Sequence, residues 1–208
     1  EKDAAMRVLD SGVLSGFIGA AGKFFNGGPE VVNFENIWAV KYGFENAISV
    51  SSWTAGLQIA MGAIGIEPGD EVICPSFTFF ATAGSVVRVG ATPIFADSLE
   101  DSFNIDLESV KSRITSKTKA IIPVHLFGRS CEIAGVMEFA DEHDLVVIED
   151  TAQSFSASVD SRKCGTFGHF GTYSFFPSKN LGGYGDGGLV SCLDDDLAEK
   201  VRQLRNHG

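Results

Sequence analysis

The sequence has 208 residues, of which 44% are hydrophobic and 21% are charged, and its formal net charge at pH 7 is −11. A chain of this length and composition can fill one sizeable α/β core. The acidic balance and the lack of Lys/Arg clusters argue against a nucleic-acid partner, because such binding depends on cations that neutralise phosphates, and no apolar run approaches the ~20 residues that a membrane-spanning helix needs.

A glycine-rich arm, SGVLSGFIGAAGKFFNGG, precedes the first predicted helix. Apolar residues recur at helical spacing from Val31 to Tyr42 behind Pro29, which suits a first helical turn, and Gly43 follows as a stop. We therefore assign residues 1–28 to an N-terminal arm and residues 29–208 to one domain.

From residue 46 onward, short apolar runs alternate with helical patterns. The predicted strands are NAISV, DEVICP, TPIFAD, KAIIPV and LVVIED, and the predicted helices cover residues 54–64, about 78–89, LESVKSRI and 133–143. The continuous apolar character of AIIPV and LVVI is typical of strands buried on both faces. The pattern predicts a three-layer α/β/α fold with a mostly parallel sheet.

Two later strands, GTYSFF and GGLVSC, flank a glycine-rich stretch, and we expect one of them to join the sheet antiparallel. GYGDGG formally contains G-x-G-x-x-G, but the dinucleotide fingerprint requires a helix after the glycines, whereas a strand-like LVSC follows. GAAGKFF has Phe24 where a P-loop needs Ser or Thr. We interpret the first stretch as a tight turn and the second as part of the arm.

The four cysteines are widely spaced without a C-x-x-C pattern, and the four histidines form no zinc-binding pattern. We therefore expect reduced thiols, a cytoplasmic location and no metal site. The sequence begins with Glu1, and its last helical pattern stops without a closing element. We expect it to be a piece of a longer chain.

Four polar or aromatic clusters follow predicted strands, where ligands bind in open α/β sheets. They are SSWTAG, PSFTFFAT, EDTAQS and PSKN. Together they offer a helix N-terminus for a phosphate, an aromatic plate, a strand-end carboxylate and a lysine. These are the parts that hold pyridoxal phosphate (PLP), whose pyridine nitrogen needs a carboxylate and whose aldehyde needs an amine.

Each cluster also has an ordinary structural interpretation. Ser52 and Thr54 stand where helix N-caps are the default. Phe79 lies in an aromatic run of a kind that is usually core, Asp150 can cap the turn after its strand, and Gln153 can be a surface amide.

Two further residues, Lys179 and His125, each have two possible roles, and a third, His143, has one ordinary role. Lys179 is either a cofactor lysine or one of the many solvated loop lysines. His125 either faces the substrate or is a hydrogen-bonded structural histidine. His143 ends a predicted helix, where a histidine has a favourable C-terminal role.

Five segments, taken in order, resemble the large domain of the DegT/DnrJ/StrS sugar aminotransferases, which are PLP enzymes of fold type I. They are GIEPGDEVICPSFTFFATAGSVVRVGATPIFAD, TKAIIPVHLFG, VVIEDTAQS, SFFPSKNLGGYGDGG and VRQLRNHG. The likeness runs from about Gly27 to Gly208. It implies a PLP-binding large domain over residues 29–208, with the family's C-terminal small domain absent.

By that resemblance, Lys179 carries PLP as a Schiff base, and lysine here distinguishes aminotransferases from the family's dehydratases, which have histidine. Asp150 pairs with the pyridine nitrogen and Gln153 reaches the ring's phenolic oxygen. Phe79 occupies the position of the aromatic residue that stacks on the ring.

The resemblance also assigns phosphate-binding positions to Ser174, Trp53 and Thr54. Trp53 stands where the family usually has a small residue, so a backbone N–H is the contact that it can still offer. The arm SGFIGAAGKFFNGG is longer than the family's usual segment, which leaves its substrate contacts open.

The implied activity is that of a PLP-dependent transaminase. An amino acid, usually glutamate, supplies the amino group, and the keto group of a nucleotide-linked sugar accepts it, with Lys179 as general base and acid and with ping-pong kinetics. The implied setting is amino-sugar, cell-surface polysaccharide or secondary-metabolite biosynthesis by a homodimer. Two alternatives stay open: another fold type I PLP enzyme such as a lyase, and a non-catalytic PLP-binding regulator or scaffold.

Overall fold

The computed structural model describes residues 1–20 and 22–207, so Ala21 of the arm and Gly208 of the closing motif lie outside the described residues. The helices are α1 (Lys2–Ser11), α2 (Pro29–Tyr42), α3 (Trp53–Ala63), α4 (Ala81–Arg88), α5 (Leu107–Arg113), α6 (Ile133–Glu142) and α7 (Asp195–Arg205). The strands are β1 (Asn46–Val50), β2 (Glu71–Pro75), β3 (Thr92–Ala96), β4 (Thr118–Ile121), β5 (Val146–Asp150), β6 (Ser158–Val159), β7 (Arg162–Lys163), β8 (Phe170–Ser174) and β9 (Gly188–Cys192).

The main sheet has the strand order β1-β9-β8-β5-β4-β2-β3. The pairs from β8 to β3 are parallel, whereas β9 runs antiparallel to both β8 and β1. The prediction that one of the two late strands joins the sheet antiparallel is therefore confirmed for β9. A short antiparallel hairpin, β6 and β7, stands apart from this sheet and was not predicted.

Both faces of the sheet are covered by helices because alternate residues of each strand point to opposite faces. Ile148 of β5 packs in the cluster that includes Leu57 of α3, together with residues of α4 and α7. Its neighbour Val147 packs in the cluster that includes Val136 of α6, together with α5. Helix α2 covers the β1–β9–β8 end through Trp38. The predicted three-layer α/β/α fold with a mostly parallel sheet is confirmed.

Three local features differ from the prediction. The arm contains helix α1, which was not predicted. Helix α3 begins at Trp53 rather than Thr54. Helix α4 begins at Ala81 rather than about Thr78, because its first helical bond runs from Gly84 N–H to the carbonyl of Phe80 and leaves 76–79 as an irregular loop. Among the helices so described, none is both long and apolar enough to cross a membrane.

Candidate active site

A cavity of about 370 Å³ lies at the carboxyl ends of β4, β5 and β8. This volume falls within the range of roughly 300–1,000 Å³ that is typical of small-molecule sites. The structure places all seven predicted site residues in its lining: Trp53, Thr54, Phe79, Asp150, Gln153, Ser174 and Lys179. Their roles in binding stay predictions.

The N-terminus of α3 forms one wall of the cavity. Ser52 caps this helix, since its hydroxyl accepts the N–H of Ala55 at 3.0 Å and its carbonyl accepts the N–H of Gly56. The first N–H groups of a helix have no acceptor within it, so those of Trp53 and Thr54 are available to an anion. The cap interpretation thus holds for Ser52 and is wrong for Thr54, which is the second residue of the helix.

Strand β9 approaches this helix start closely because it begins with glycine. Gly188 pairs with Ser174 at the end of β8 and with Val50 at the end of β1. A Cβ atom on Gly188 would lie 2.6 Å from the backbone nitrogen of Trp53, which is closer than real contacts allow. The glycine therefore lets the hydroxyl-bearing end of β8 and the α3 N-terminus form one continuous cradle.

Asp150, the last residue of β5, supplies a buried carboxylate. Its Oδ1 accepts the N–H of Ala152 at 3.0 Å and its Oδ2 accepts the hydroxyl of Thr82 at 3.2 Å. Burial raises the pKa of Asp150 to about 6, while these two hydrogen bonds and the charges of His125 and Lys179 act in the opposite direction. The turn-capping interpretation is therefore correct, and the same carboxylate also lines the cavity.

Gln153 is held by the loop that follows β4. Its Oε1 accepts the backbone N–H of Phe127 at 2.9 Å, so the amide nitrogen is left as the donor for a ligand. Phe127 has a left-handed backbone, with φ 55°, which is uncommon for a bulky residue and marks a constrained loop. Gln153 lines the cavity and is half-buried, so the surface-amide interpretation is wrong.

Phe79 presents an exposed ring at the cavity, with 57% of the residue accessible. The core interpretation of Phe79 is therefore wrong. Its ring centroid lies 6.4 Å from that of Trp53, which is buried, and 4.5 Å from that of Phe80. The side chain of Trp53 thus supports one side of the aromatic plate while its backbone begins the helix.

The structural interpretation of His125 is correct. His125 is fully buried, its Nε2 lies 2.8 Å from Glu149 Oε2, and its Nδ1 accepts the N–H of Cys131 at 3.2 Å. Because Nδ1 accepts a hydrogen bond, Nε2 is the nitrogen that donates to Glu149. His143 follows α6 and its ring packs against Phe139 at 4.4 Å, in keeping with an ordinary role at a helix end.

Glu149 was not identified from the sequence, although it precedes Asp150 directly. Its buried carboxylate accepts the backbone N–H groups of Gly165, Phe167 and Gly168 at 2.6–2.7 Å, in addition to the bond from His125. Strand alternation puts Glu149 and Asp150 on opposite faces of the sheet. Two adjacent acidic residues at the end of a predicted strand could have indicated that one carboxylate serves the fold and the other the cavity.

Two threonines were also missed. Thr78 lines the cavity, and its hydroxyl lies 3.0 Å from that of Thr82, which bonds Asp150. Their spacing of four residues next to a helix start is the signal that could have paired them, since residues four apart share a helix face.

The groups that line the cavity match the chemical parts of PLP. An unsatisfied helix N-terminus beside a serine hydroxyl suits a phosphate, and an exposed aromatic face suits a flat ring. A buried carboxylate suits a protonated ring nitrogen, and a half-buried lysine in the same cavity suits a carbonyl carbon.

Comparisons with known proteins agree with this chemistry. The family model described as the DegT/DnrJ/EryC1/StrS aminotransferase family matches residues 18–208. A pleiotropic regulatory protein of Geobacillus stearothermophilus is 45% identical over 207 residues, which cover 100% of this chain and 54% of that protein. A UDP-N-acetyl-3-dehydro-alpha-D-glucosamine 3-aminotransferase of Acidithiobacillus ferrooxidans is 48% identical over 166 residues, covering 80% of this chain and 45% of that protein.

A solved structure of the same kind is the X-ray structure of the aminotransferase from Psychrobacter cryohalolentis. It is 39% identical to this chain and superimposes with a TM-score of 0.92. The superposition covers 100% of this chain and 50% of that one. The chain thus spans about half the length of the proteins that it matches.

Proposed function

The chain belongs to the DegT/DnrJ/EryC1/StrS aminotransferase family, and from this membership we propose that the whole protein is a PLP-dependent transaminase. Its substrates are an amino acid, with glutamate as the expected donor, and a nucleotide-linked keto sugar as the acceptor. The observation that carries the proposal is the convergence of Lys179, Asp150 and the α3 N-terminus on one cavity. The name of the Acidithiobacillus relative, a UDP-sugar aminotransferase, supports the acceptor class.

Three groups hold the ring of the cofactor in this proposal. When bound, PLP supplies a conjugated ring that withdraws electrons from the amino-bearing carbon. Asp150 keeps a negative charge opposite the ring nitrogen, and Phe79 offers its exposed face to the ring. Gln153 donates its amide N–H to the ring's phenolic oxygen, because its carbonyl oxygen is already occupied by Phe127.

Phosphate binding falls to Trp53 and Thr54 through their backbone N–H groups and to Ser174 through its hydroxyl. Lys179 Nζ would hold the cofactor at its aldehyde carbon, and with its amine free it would take up a proton from the substrate and return it. These assignments make residues 29–208 the PLP-binding unit, with residues 1–28 as an arm.

The test of this proposal is borohydride reduction of the natural full-length protein after incubation with PLP, followed by peptide mass mapping. We expect a pyridoxyl group on the peptide that contains Lys179 and none on that peptide in Lys179→Ala. Lys163→Ala is the matched control, since Lys163 lies outside the cavity with its Nζ bonded to the Ser156 carbonyl. A folded full-length protein without an adduct at Lys179 would overturn the cofactor assignment.

The acceptor is tested separately by supplying glutamate with UDP-, GDP- and dTDP-linked keto sugars. We expect amino sugar and 2-oxoglutarate to form with ping-pong kinetics. The reason is that 2-oxoglutarate would leave before the sugar binds, while the enzyme keeps the amino group. Sequential kinetics would contradict the two-stage scheme. Amine transfer to a keto acid but to none of the sugars would contradict the acceptor class alone.

A second candidate function is regulatory, and it is favoured by one observation. The relative from Geobacillus stearothermophilus, 45% identical along the whole chain, is named a pleiotropic regulatory protein. In a strain that lacks the protein, Lys179→Ala separates the two candidates. Restoration of the wild-type phenotype by this variant supports the regulatory role, and failure to restore it supports the enzyme.

The proposed protein is a cytoplasmic homodimer. Four free cysteines, all buried, are typical of a reducing compartment. The arm contains Phe17, whose ring packs under the guanidinium of Arg205 at 4.8 Å yet remains 40% exposed, so one side of it is available to a second copy. Deletion of residues 11–28 is expected to convert the dimer to a monomer in light scattering, and an unchanged dimer would remove the arm from the interface.

A further inference from the structure

We propose that Thr78 and Thr82 form a hydroxyl relay that keeps Asp150 ionised, which makes both of them positioning residues for the cofactor-binding carboxylate. The inference rests on the proposed function for its consequence, whereas the relay itself belongs to this chain alone.

The geometry fixes the direction of the relay. An ionised carboxylate only accepts hydrogen bonds, so Thr82, at 3.2 Å from Asp150 Oδ2, must donate its single hydroxyl proton to Asp150. Thr82 then has only lone pairs to offer Thr78, whose oxygen lies 3.0 Å away. Thr78 therefore donates to Thr82, and both protons point toward the carboxylate.

Burial makes this relay matter. Thr82 is fully buried and does not line the cavity, so water has no access to the position of its hydroxyl and cannot replace it as a donor. A hydrogen bond to the charged form of a carboxyl favours that form, and burial opposes it. Since burial raises the pKa of Asp150 to about 6, each remaining donor affects how much of the carboxylate is ionised near neutral pH.

Few charges compete with the relay. His125 and Lys179 are the charged or titratable groups that face Asp150 from the neighbouring elements. His125 is held in place by two hydrogen bonds, since its Nδ1 accepts the N–H of Cys131 and its Nε2 lies 2.8 Å from Glu149 Oε2. Glu149 points to the opposite face of the sheet, and Arg88, the one charged residue of α4, lies at the far end of that helix. His125 and then Lys179 act on Asp150 through their charges, and Thr82 is the neutral side chain that donates to it.

The relay ends at the cavity, since Thr78 is half-buried and lines it while Thr82 does not. A ligand that accepted the hydroxyl proton of Thr78 would remove the donor that Thr78 offers to Thr82. The two threonines thus connect the surface of the cavity to the buried carboxylate through α4 rather than through β5.

The direct test is an infrared difference titration of the full-length apoprotein, in which Asp150→Asn identifies the carboxyl band. Thr82→Val removes the inner donor at nearly constant volume, and we expect the titration midpoint of Asp150 to rise by about one pH unit. Thr78→Val is expected to raise it by less, and Thr82→Ser to restore it. Ser85→Ala is the matched control, because Ser85 is buried on the same helix but donates to the Ala81 carbonyl.

An unchanged midpoint in folded Thr82→Val would overturn the relay. If Thr82→Val does not fold, Thr78→Val decides the question, since its site is partly open to solvent. The positioning role is read from the PLP dissociation constant at pH 6, which we expect to increase about fivefold in Thr82→Val, because a midpoint that rises from about 6 by one unit lowers the ionised fraction of Asp150 from about one-half to about one-tenth at that pH. A shifted midpoint with unchanged PLP affinity would overturn that role. The infrared titration needs no cofactor, so it stands even where Lys179 gives no adduct and the proposed function fails.

Discussion

The backbone N–H of Phe127 donates to Oε1 of Gln153 at 2.9 Å, and this bond fixes which end of the Gln153 amide faces a ligand. Phe127 belongs to the turn after β4, whereas Gln153 follows β5, so the bond also ties two neighbouring strand ends together. A side-chain amide whose oxygen is already occupied can serve the cavity only as a donor.

Gln153→Glu tests whether the amide oxygen serves Phe127 and the amide nitrogen serves the ligand. The variant keeps an oxygen for Phe127 and replaces the donor nitrogen by an oxygen that repels an anionic ligand atom. We expect the free energy of unfolding to change by less than about 0.5 kcal/mol, and PLP affinity to fall by about tenfold, as for a lost hydrogen bond to a charged group. Urea unfolding and an absorbance titration with PLP measure the two quantities. Equal losses in Gln153→Glu and Gln153→Leu in both assays would contradict the argument.

Asp150→Asn is expected to stabilise the apoprotein at neutral and higher pH. Burial raises the pKa of Asp150 from 3.8 to about 6, so the folded protein carries an unfavourable buried charge above pH 6. Between pH 6 and 4 the folded protein binds a proton that the unfolded chain does not yet bind, so the wild type gains stability as the pH falls. A shift of about two units corresponds to at most about 3 kcal/mol.

The measurement is urea unfolding of full-length wild type and Asp150→Asn at a series of pH values. We expect the variant to be more stable by about 1–3 kcal/mol at pH 8, and the gap to close near pH 4. The same variant is expected to bind PLP more weakly. The carboxylate would then favour cofactor binding while it lowers the free energy of unfolding. A wild type that is the more stable of the two at pH 8 would show that hydrogen bonds outweigh burial at this carboxylate.

Glu149→Gln is expected to be strongly destabilising. The Glu149 carboxylate accepts three backbone N–H groups from the 165–168 turn as well as the bond from His125, all in a fully buried site. An amide has one acceptor oxygen, so its NH₂ group would face donors, and buried donors would be left unsatisfied. We expect a loss of about 3 kcal/mol or more in the free energy of unfolding. A loss below about 1 kcal/mol would mean that the turn finds other acceptors.

The opposite expectations for Glu149 and Asp150 show what the sequence could and could not reveal. The apolar runs and helical spacings predicted the layered fold, because burial on both faces leaves a direct trace in composition. The sequence predicted a strand-end carboxylate at Asp150 but not which partners the adjacent Glu149 would meet on the other face of the sheet. That depends on the register of β5 against β4 and β8, which is a tertiary property.

The exposure of Phe79 illustrates a second limit. An aromatic run usually predicts core, yet α4 begins only after Phe80, so the loop before it turns Phe79 outward to the cavity. The start of a helix is the least certain feature of a sequence-based prediction, since capping residues and loop bonds compete there. The relay between Thr78 and Thr82 was not predicted because its third member, Asp150, is 68 residues from Thr82 in the sequence and meets it only in the folded structure.

Gly188→Ala tests whether the glycine-rich stretch before β9 serves the cradle. A Cβ at residue 188 would lie 2.6 Å from the carbonyl carbon of Ser52 and from the backbone nitrogen of Trp53, so β9 and the start of α3 must separate. Gly185 is the matched control in the same stretch, because a Cβ there meets no atom within 4 Å. We expect Gly188→Ala to cost about 1–3 kcal/mol of unfolding free energy, as for overpacking, and Gly185→Ala to change it by less than about 0.5 kcal/mol.

PLP binding tests whether the separation of β9 from the start of α3 in Gly188→Ala disturbs a phosphate site. If the α3 N-terminus holds the phosphate, Gly188→Ala moves the N–H groups of Trp53 and Thr54 away from the Ser174 hydroxyl. The dissociation constant for PLP should then increase, and inorganic phosphate should compete less well for the site than it does in Gly185→Ala. Both constants are measurable by absorbance titration on folded protein at a temperature below the unfolding transition of either variant. Equal affinities in the two glycine variants would place the phosphate away from this cradle, whatever the loss of stability.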